Sequence, residues 1–380
     1  MKPRNFQQEL AARLREKSPL IQVVIGPRQV GKSTAAHAIA AHWKGPQHMV
    51  TADGPVPPNA EWLQLQWNHA RQLGTGTLFI VDEVQKISGW SEMLKRLFDP
   101  IRGRGLLKIV LLGSSSLYLQ KGLSESLAGR FEVLPAPHWS FAECHREFGW
   151  DFATYLRWGA YPGAVPFVGK AARWRSYLRD GLIEPVLGRD VVGQNVLRNP
   201  ALFRQTFELV SQCPAQVVSL QKLLGQLQDR GNAATIRHYL TLLEQVFFVR
   251  CLHKFSGSVV QSRSSSPKII IMNPALTHAY QAPERLDTDP HWYGLMFENV
   301  VGAHLAQWPE AELYYWRDGT AEVDFVVKTP RALYAIEVKS GRRVRSERGL
   351  IRFAEHYPKA ICQSWDAATA IDFMAGKRTL

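Results

Sequence analysis

Short runs of apolar, β-forming residues alternate with helix-forming stretches along the first third of the chain. Five of these runs predict strands, and they lie at residues 21–25, 49–52, 78–81, 109–112 and 131–134. Ahead of them, Phe6, Leu10 and Leu14 recur at helical spacing, which predicts an amphipathic helix within residues 1–20. Strands that alternate with helices predict an α/β fold, in which helices cover both faces of a parallel sheet.

The pattern changes after residue 138, where helical stretches rich in aromatic residues replace the alternation. We interpret residues 139–198 as a helical lid, although most of the aromatic side chains would simply fill its core. Residues 217–228 and 233–245 predict two helices with a turn at 229–232, followed by strands at 247–252 and 267–271 around a serine-rich tip at 256–266. Two helices followed by a β-ribbon are typical of a winged helix.

The C-terminal part of the chain returns to a mixed pattern. It predicts a helix over residues 294–308, a hairpin that turns at Asp318 and Gly319, and a strand over residues 335–339. The chain is therefore predicted to contain an α/β core at 1–138, a lid at 139–198, a winged helix at 199–275 and a second α/β domain at 276–380.

A glycine-containing motif lies between the first predicted strand and an alanine-rich, helix-forming run. It fits the phosphate-binding pattern G-x-x-x-x-G-K-[ST], and its residues are Gly26, Pro27, Arg28, Gln29, Val30, Gly31, Lys32, Ser33 and Thr34. Backbone N–H groups of such a loop surround phosphates, and the positive end of the helix dipole adds to the attraction. We expect Lys32 to reach the β- and γ-phosphates of ATP and the Ser33 hydroxyl to bind Mg²⁺.

Two carboxylates follow the third predicted strand, as the Walker B motif of such proteins requires. Asp82 is expected to hold Mg²⁺ through water, and Glu83 to orient or deprotonate the attacking water. Ser114 follows the fourth predicted strand, where a polar side chain would lie beside the γ-phosphate; a plain Gly-Ser turn is the alternative.

Four charged residues of the C-terminal domain form a second candidate site. Glu298 lies on the apolar face of its predicted helix, Asp324 lies in the hairpin, and Glu337 and Lys339 share one face of the next strand, with Ile336 and Val338 facing the core. This set resembles that of the PD-(D/E)xK nucleases, in which two carboxylates fix Mg²⁺ and the lysine activates water. Here Asp324 follows a valine in place of the proline. Such folds also serve in binding without cleavage, so the sequence leaves open whether this domain cleaves nucleic acid.

The chain has 46 Lys and Arg residues against 33 Asp and Glu residues, and its net charge of +13 favours a polyanionic partner such as DNA. The second helix of the predicted winged helix would expose Thr235, Arg237, His238 and Thr241 to DNA, although winged helices also contact proteins. Four isolated cysteines, no signal-peptide core and no long apolar run favour a cytoplasmic protein without a membrane span.

Several motifs together resemble one known family. They are GPRQVGKST, LFIVDE, GSSS, SLAGR, the turn from Gly159 to Pro162, the pair Arg189 and Asp190, the FEN helix, EVDFVV and IEVKSG. This combination resembles the archaeal-type predicted AAA-superfamily ATPases, which are P-loop ATPases with a C-terminal winged helix and a restriction-endonuclease-like domain. The resemblance implies Mg²⁺-dependent ATP hydrolysis, oligomers and DNA as a partner. AAA-type motors carry an arginine finger at the position of Arg130, which implies that Arg130 acts in a neighbouring subunit.

We therefore expect a Mg²⁺-dependent ATP hydrolase of AAA type that acts on branched or junction DNA. An ATP-gated nuclease and a nucleotide-dependent switch that binds proteins are the alternatives. The arginine of the lid that would sense nucleotide stays open among Arg157, Arg173, Arg175 and Arg189. A basic run at Arg342, Arg343, Arg345 and Arg348 would line a DNA path or form a solvated helix face.

Overall fold

The computed structural model describes residues 3–17, 20–114, 126–192, 197, 199–227, 232–257, 265–308, 310–341 and 347–380. The chain forms two compact units, Met1–Pro137 and His138–Leu380. The finer division of the second unit into a lid, a winged helix and a nuclease-like domain stays a prediction.

The first unit contains a five-stranded parallel sheet, and this confirms the expected α/β class. The strands are β1 Ile21–Ile25, β2 Gln47–Thr51, β3 Thr77–Asp82, β4 Leu107–Gly113 and β5 Phe131–Pro135. They lie in the order β2-β3-β4-β1-β5. The helices are α1 Asn5–Arg15, α2 Lys32–Ala41, α3 Ala60–Gln72 and α4 Trp90–Phe98, with short 3₁₀ turns at Val84–Lys86 and Asp99–Ile101.

Burial explains why the apolar runs identified these strands. Every residue of β1 and of β3 is buried, as expected for strands that are covered on both faces. The first helix is also confirmed, because Phe6, Leu10 and Leu14 all point into the core. Since β4 lies between β1 and β3, the loops after these three strands leave the same edge of the sheet side by side.

Helices dominate the first half of the second unit. They are α5 Phe141–Phe148, α6 Phe152–Trp158, α7 Ala171–Leu178 and α8 Pro200–Ser211, together with a 3₁₀ segment at Pro162–Phe167 and π-helical segments at Arg179–Ile183 and Val186–Val192. Trp139, Tyr155, Tyr161 and Trp174 are buried. Most of the aromatic signal in this region is therefore packing, since these rings bury large apolar areas.

The following segment differs from the expected one at its start. Helix α9 spans Leu220–Gln226, so the prediction of a helix from residue 217 was wrong. Gln216 and Val217 form strand β6, which pairs with Lys268 and Ile269. Two successive β-branched valines favour this extended pairing over a helix. Helix α10 spans Ala233–Gln245 as expected, with Asn232 as its N-cap, while residue 228 of the expected first helix and residues 229–231 of the expected turn lie outside the described part of the chain.

Two sheets complete the second unit. Strands β7 Val249–Leu252 and β8 Lys268–Ile271 form an antiparallel sheet with β6, in the order β6-β8-β7. Strands β9 Glu312–Asp318, β10 Ala321–Lys328, β11 Leu333–Val338 and β12 Ile361–Trp365 form the last sheet, in the order β12-β11-β10-β9. The remaining helices are α11 Pro274–His278, α12 Arg285–Thr288, α13 Pro290–Leu305, α14 Arg348–His356 and α15 Ala367–Met374.

Helix α13, which carries Glu298, begins and ends before the predicted bounds of 294–308. It begins at Pro290 because Asp289 caps it, accepting hydrogen bonds from the backbone N–H groups of His291 and Trp292 at 3.0 Å each. The pair Asp289 and Pro290 is therefore the sequence signal that marks the start of this helix. None of the described helices has both the length and the apolar character needed to cross a membrane.

Candidate nucleotide site and carboxylate–lysine cluster

The phosphate-binding motif lies between β1 and α2, in the strand–loop–helix context that it requires. Gln29 has φ 59° and Gly31 has φ 92°, so two residues of the loop take left-handed conformations. Gly26 has a different constraint, because a Cβ atom there would lie 1.9 Å from the backbone oxygen of Ala136. The loop thus closes tightly against the segment after β5 and points the N-terminus of α2 outward from the sheet edge, a geometry that binds anions.

A cation lies at this loop, as expected. Lys32 is buried, and its Nζ donates hydrogen bonds to the backbone oxygens of Gly26 at 2.9 Å and Pro27 at 2.6 Å. The ammonium group therefore folds back over the loop in which the phosphates would lie. A phosphate oxygen is a stronger acceptor for an ammonium group than a neutral carbonyl oxygen is.

A second cation, which sequence reasoning missed, supports the loop from behind. Arg4 is buried, and its Nη1 donates to the backbone oxygens of Val30 at 2.9 Å and Pro137 at 3.0 Å. Arg4 therefore ties the phosphate loop to the end of the first unit. No sequence motif includes Arg4, and the only available signal was an arginine directly before an amphipathic helix.

The structure brings the predicted metal-binding residues together. The Ser33 Oγ donates a hydrogen bond to the Asp82 Oδ2 at 2.6 Å, and the Asp82 Oδ1 accepts one from the backbone N–H of Glu83 at 2.9 Å. A hydroxyl and a carboxylate that converge at the mouth of a phosphate loop are the hard oxygen donors that Mg²⁺ prefers. The residues present therefore fit this ion.

Glu83 and Ser114 also meet. Glu83 has φ 53°, a strained left-handed conformation for a residue other than glycine, and it directs its carboxylate back towards β4. Its Oε2 accepts hydrogen bonds from the Ser114 Oγ at 3.1 Å and from the Gln85 Nε2 at 2.5 Å. Gln85 is a further residue of the site that sequence reasoning did not single out, although it lies only two positions beyond Glu83.

Arg130 lies at the surface of the first unit and is paired within its own chain. Its Nε and Nη2 donate to the two carboxylate oxygens of Asp99 at 2.6 and 2.9 Å, and its Nη1 donates to the backbone oxygen of Ala128 at 3.0 Å. Hydrogen bonding to Asp99 raises the pKa of Arg130 and lowers that of Asp99. The pair lies near the surface, with Arg130 22% and Asp99 39% exposed, so solvent and other anions can reach it.

The four candidate sensor arginines lie in the second unit. Arg157 forms an ion pair with Asp287 at 2.5 Å, Arg173 lies 5.3 Å from the ring centre of Phe167, and Arg175 is half-buried. The side chain of Arg189 lies outside the described part of the chain. These contacts do not favour one sensor over another.

In the C-terminal cluster, two of the four expected residues, Glu298 and Asp324, contact a fifth residue that was not expected. Lys268, which is 1% exposed, lies with its Nζ 2.5 Å from the Glu298 Oε1 and 3.8 Å from the Asp324 Oδ1. It also donates to the backbone oxygen of Asp324 at 3.1 Å. Glu337 and Lys339 form a second ion pair beside this one.

Burial sets the electrostatics of this cluster. Burial, together with the charge of Asp324, raises the pKa of Glu298 to about 7 against the opposing effect of Lys268. Burial alone would lower the pKa of Lys268, but the carboxylates of Glu298 and Asp324 outweigh it and raise the pKa. Burial also raises the pKa of Glu337, which is 8% exposed, and Ile336 and Val338 of the same strand are buried as expected.

The candidate DNA-binding residues lie on α10. Arg237, His238 and Thr241 are exposed, whereas Thr235 is half-buried and its hydroxyl donates to the Asn232 Oδ1 at 3.1 Å in the N-terminal cap. Three side chains are therefore available for contacts, and Thr235 has a structural role as well. Of the basic run, only Arg348 is described, and it begins α14; Arg342, Arg343 and Arg345 lie outside the described residues.

The fold, the phosphate loop and the Walker B carboxylates define a P-loop ATPase fold of AAA type. Comparison with known proteins agrees, because residues 18–145 match the AAA domain family. Residues 149–287 and 293–372 match two families that are described as domains of unknown function, DUF8612 and DUF4143. These two matches carry no information about winged-helix or nuclease activity.

The chain is also similar to two uncharacterized sequence relatives and to one solved structure of a Walker-type ATPase. The uncharacterized proteins Mb2031c of Mycobacterium bovis and Rv2008c of Mycobacterium tuberculosis are each 28% identical over 347 residues, which is 88% of this chain and 74% of theirs. The Walker-type ATPase PABY2304 of Pyrococcus abyssi superimposes with a TM-score of 0.51 at 15% identity, over 74% of this chain and 96% of that chain. The RuvB Holliday junction branch migration motor of Thermotoga maritima reaches only 0.35, which supports no functional argument.

Proposed function

We propose that this protein is a Mg²⁺-dependent ATP hydrolase of AAA type that acts on DNA. The observation that carries the proposal is the meeting of three loops at one sheet edge. They place the hydroxyl of Ser33 on Asp82 and the hydroxyl of Ser114 on Glu83. A phosphate loop alone supports nucleotide binding, whereas a carboxylate that is held by a neighbouring hydroxyl beside that loop supports hydrolysis.

The residues divide the chemistry among them. Backbone N–H groups of the loop and the N-terminus of α2 bind the phosphates, and Lys32 turns from its carbonyl partners to the β- and γ-phosphates. Glu83 orients the attacking water and accepts its proton, while Ser114 holds the Glu83 carboxylate in place. When bound by Ser33 and Asp82, Mg²⁺ supplies neutralisation of the phosphate charge.

Two substitutions test this division. Lys32→Ala is expected to abolish nucleotide binding, because it removes the cation at the loop. Glu83→Gln is expected to keep ATP binding and to lose hydrolysis by a factor of about 10²–10⁴, the usual range for a general base. Binding is measured by calorimetry with Mg²⁺ present, and turnover by phosphate release.

The matched control is Glu61→Gln, which makes the same change at an exposed position in the first turn of α3. It should behave as the unsubstituted protein. Full turnover by Glu83→Gln, or ATP binding by Lys32→Ala at unchanged affinity, would contradict the proposal.

The DNA part of the proposal is supported by the net charge of +13 and by the exposed side chains of Arg237, His238 and Thr241. Binding through the phosphate backbone should weaken steeply with salt, and loss of one phosphate contact should reduce the salt slope by about 1. We expect branched or four-way DNA to stimulate ATP turnover more than duplex DNA does. Turnover that is unchanged by single-stranded, duplex and four-way DNA would refute this part and favour a nucleotide switch that binds proteins.

We further propose that the active form is a homo-oligomer in which Arg130 completes the site of a neighbouring subunit. Its support is the position of Arg130 near the surface, where its guanidinium group already holds the carboxylate of Asp99 and can exchange it for another anion. Arg130→Ala should lower turnover about 10³-fold or more, the usual effect of an arginine finger. Mixing Arg130→Ala with Lys32→Ala should restore turnover, because each subunit then supplies what the other lacks.

Arg102→Ala is the control for this experiment. Arg102 is a nearby exposed arginine whose Nη2 donates to the backbone oxygen of Gly129 at 2.7 Å, and it has no part in the proposal. If mixed subunits show no recovery while Arg130→Ala alone is inactive, Arg130 does not act between subunits.

A further inference from the structure

The C-terminal cluster contains one cation more than a nuclease site of its type needs. We propose that the ammonium group of Lys268 takes the place of a divalent metal among Glu298, Asp324 and Glu337, so that this domain binds without metal-dependent cutting. This inference is independent of ATP hydrolysis, because it concerns only the second unit. It removes the gated nuclease as a function of the unaltered chain.

The position of Lys268 carries the argument. Its side chain is buried, and its Nζ has an acceptor in the Glu298 Oε1 at 2.5 Å, another in the backbone oxygen of Asp324 at 3.1 Å, and the Asp324 Oδ1 at 3.8 Å. The ring of Phe325 lies under the same atom, with its centre 4.9 Å away. An ammonium group that faces two carboxylates, a carbonyl oxygen and an aromatic ring occupies a cation site.

The fold builds this arrangement from two sheets. Lys268 is the first residue of β8, and a register shift in β10 between Val323 and Val326 interrupts the alternation of side chains. Val323 and Val326 both pack in the cluster under α14, and the two residues between them turn to the other side, towards Lys268. A bulge that re-aims side chains beside a site is a common device.

The remaining oxygens do not make a metal site. The Asp324 Oδ2 accepts a hydrogen bond from the backbone N–H of Val338 at 2.8 Å, and Lys339 holds one oxygen of Glu337. The Glu337 Oε2 is buried without a hydrogen-bond partner, which is the one feature that would suit a metal. Mg²⁺ usually keeps several waters but still needs one or two carboxylates that are open to it, and three of the four carboxylate oxygens of Asp324 and Glu337 already face a donor. Within the described residues, no group of three or more His, Cys, Asp or Glu side chains is placed to hold a metal ion.

The test is Mn²⁺ binding by a chain that lacks the first metal site. Ser33→Ala and Asp82→Asn together provide this background, and Mn²⁺ is titrated without nucleotide, with free Mn²⁺ measured by electron paramagnetic resonance. We expect no binding to the second unit in this background. Adding Lys268→Met should produce one site with an affinity gain of about 100-fold or more, because a like charge next to the carboxylates is removed. Adding Asp324→Asn as well should abolish that site.

Removal of Lys268 alone leaves the half-buried carboxylates of Glu298 and Asp324 without their ammonium partner and can unfold the domain. The combination Lys268→Met with Glu298→Gln removes the excess charge and keeps Asp324 and Glu337 for Mn²⁺. The Trp fluorescence of each variant is compared with that of the unaltered chain before titration, to check that the variant is folded. A saturable rise in melting temperature with added Mn²⁺ is taken as evidence of Mn²⁺ binding.

Three results would overturn the inference. Stoichiometric Mn²⁺ binding that depends on Asp324 while Lys268 is intact would show that the ammonium group leaves room for the metal. A folded Lys268→Met chain, or its Glu298→Gln combination, that binds no Mn²⁺ would show that Lys268 is not what excludes it. Cleavage of four-way DNA with Mn²⁺ by the unaltered chain, lost in Lys339→Ala, would also refute the claim.

Discussion

Replacing Glu298 by glutamine should change how stability depends on pH. Burial raises the pKa of Glu298 to about 7 from an ordinary value of 4.5, so the folded chain holds this proton more tightly than the unfolded chain does. The stabilisation is complete below the unfolded pKa and is lost as pH rises through the folded pKa. Glutamine keeps an acceptor for Lys268 but has no proton to lose.

The size of the effect follows from the shift. At about 1.4 kcal/mol per pKa unit, the free energy of unfolding should fall by up to about 3 kcal/mol relative to Glu298→Gln as pH rises from about 4 to about 8. Between about pH 5 and about pH 7.5 the fall should be about 2 kcal/mol. Only the difference between the two chains is compared, because other groups titrate equally in both.

The assay is urea denaturation at about pH 5 and about pH 7.5, the range for which the fall was worked out. Unfolding is monitored by pulsed hydrogen exchange over peptides of α13. This readout reports the second unit by itself, since a chain with two compact units need not unfold in one step. A difference that is the same at both pH values would refute the reasoning. A wild-type chain that gains stability over Glu298→Gln as pH rises would show instead that Lys268 lowers the pKa of this carboxyl.

Three further predictions concern packing and support of the sites. Gly26→Ala places a Cβ atom 1.9 Å from the backbone oxygen of Ala136, so nucleotide binding in calorimetry should weaken at least tenfold, whereas Gly225→Ala, which meets nothing within 4 Å, should leave it unchanged. Asn299→Leu removes two buried hydrogen bonds of 2.8 Å to the backbone of β8 and should cost about 2–4 kcal/mol in urea denaturation, and a loss under about 1 kcal/mol would contradict this role. Arg4→Met should raise the KM for ATP more than Arg4→Lys does, because Arg4 positions the phosphate loop from behind; equal values would exclude this role.

The local sequence pattern was enough to predict much of the first unit. The runs that became β1 and β3 are apolar throughout because both faces of a central parallel strand are covered, and such runs stand out in any sequence. The phosphate loop was equally visible, since its chemistry needs fixed residue types at fixed spacing. The strand at Gln216 and Val217 was missed because a short edge strand depends on a partner far along the chain.

The sequence by itself therefore determined the α/β class, the phosphate loop and the residues that approach it, because each of these depends on neighbours along the chain. Only the tertiary structure decided which side chains meet. Ser114 reaches Glu83 because β4 is inserted between β1 and β3, and Lys268 reaches Asp324 because a bulge reverses the alternation of β10. Both contacts join residues separated by dozens of positions, and the free energy of a buried charge depends on those distant partners more than on its own local sequence.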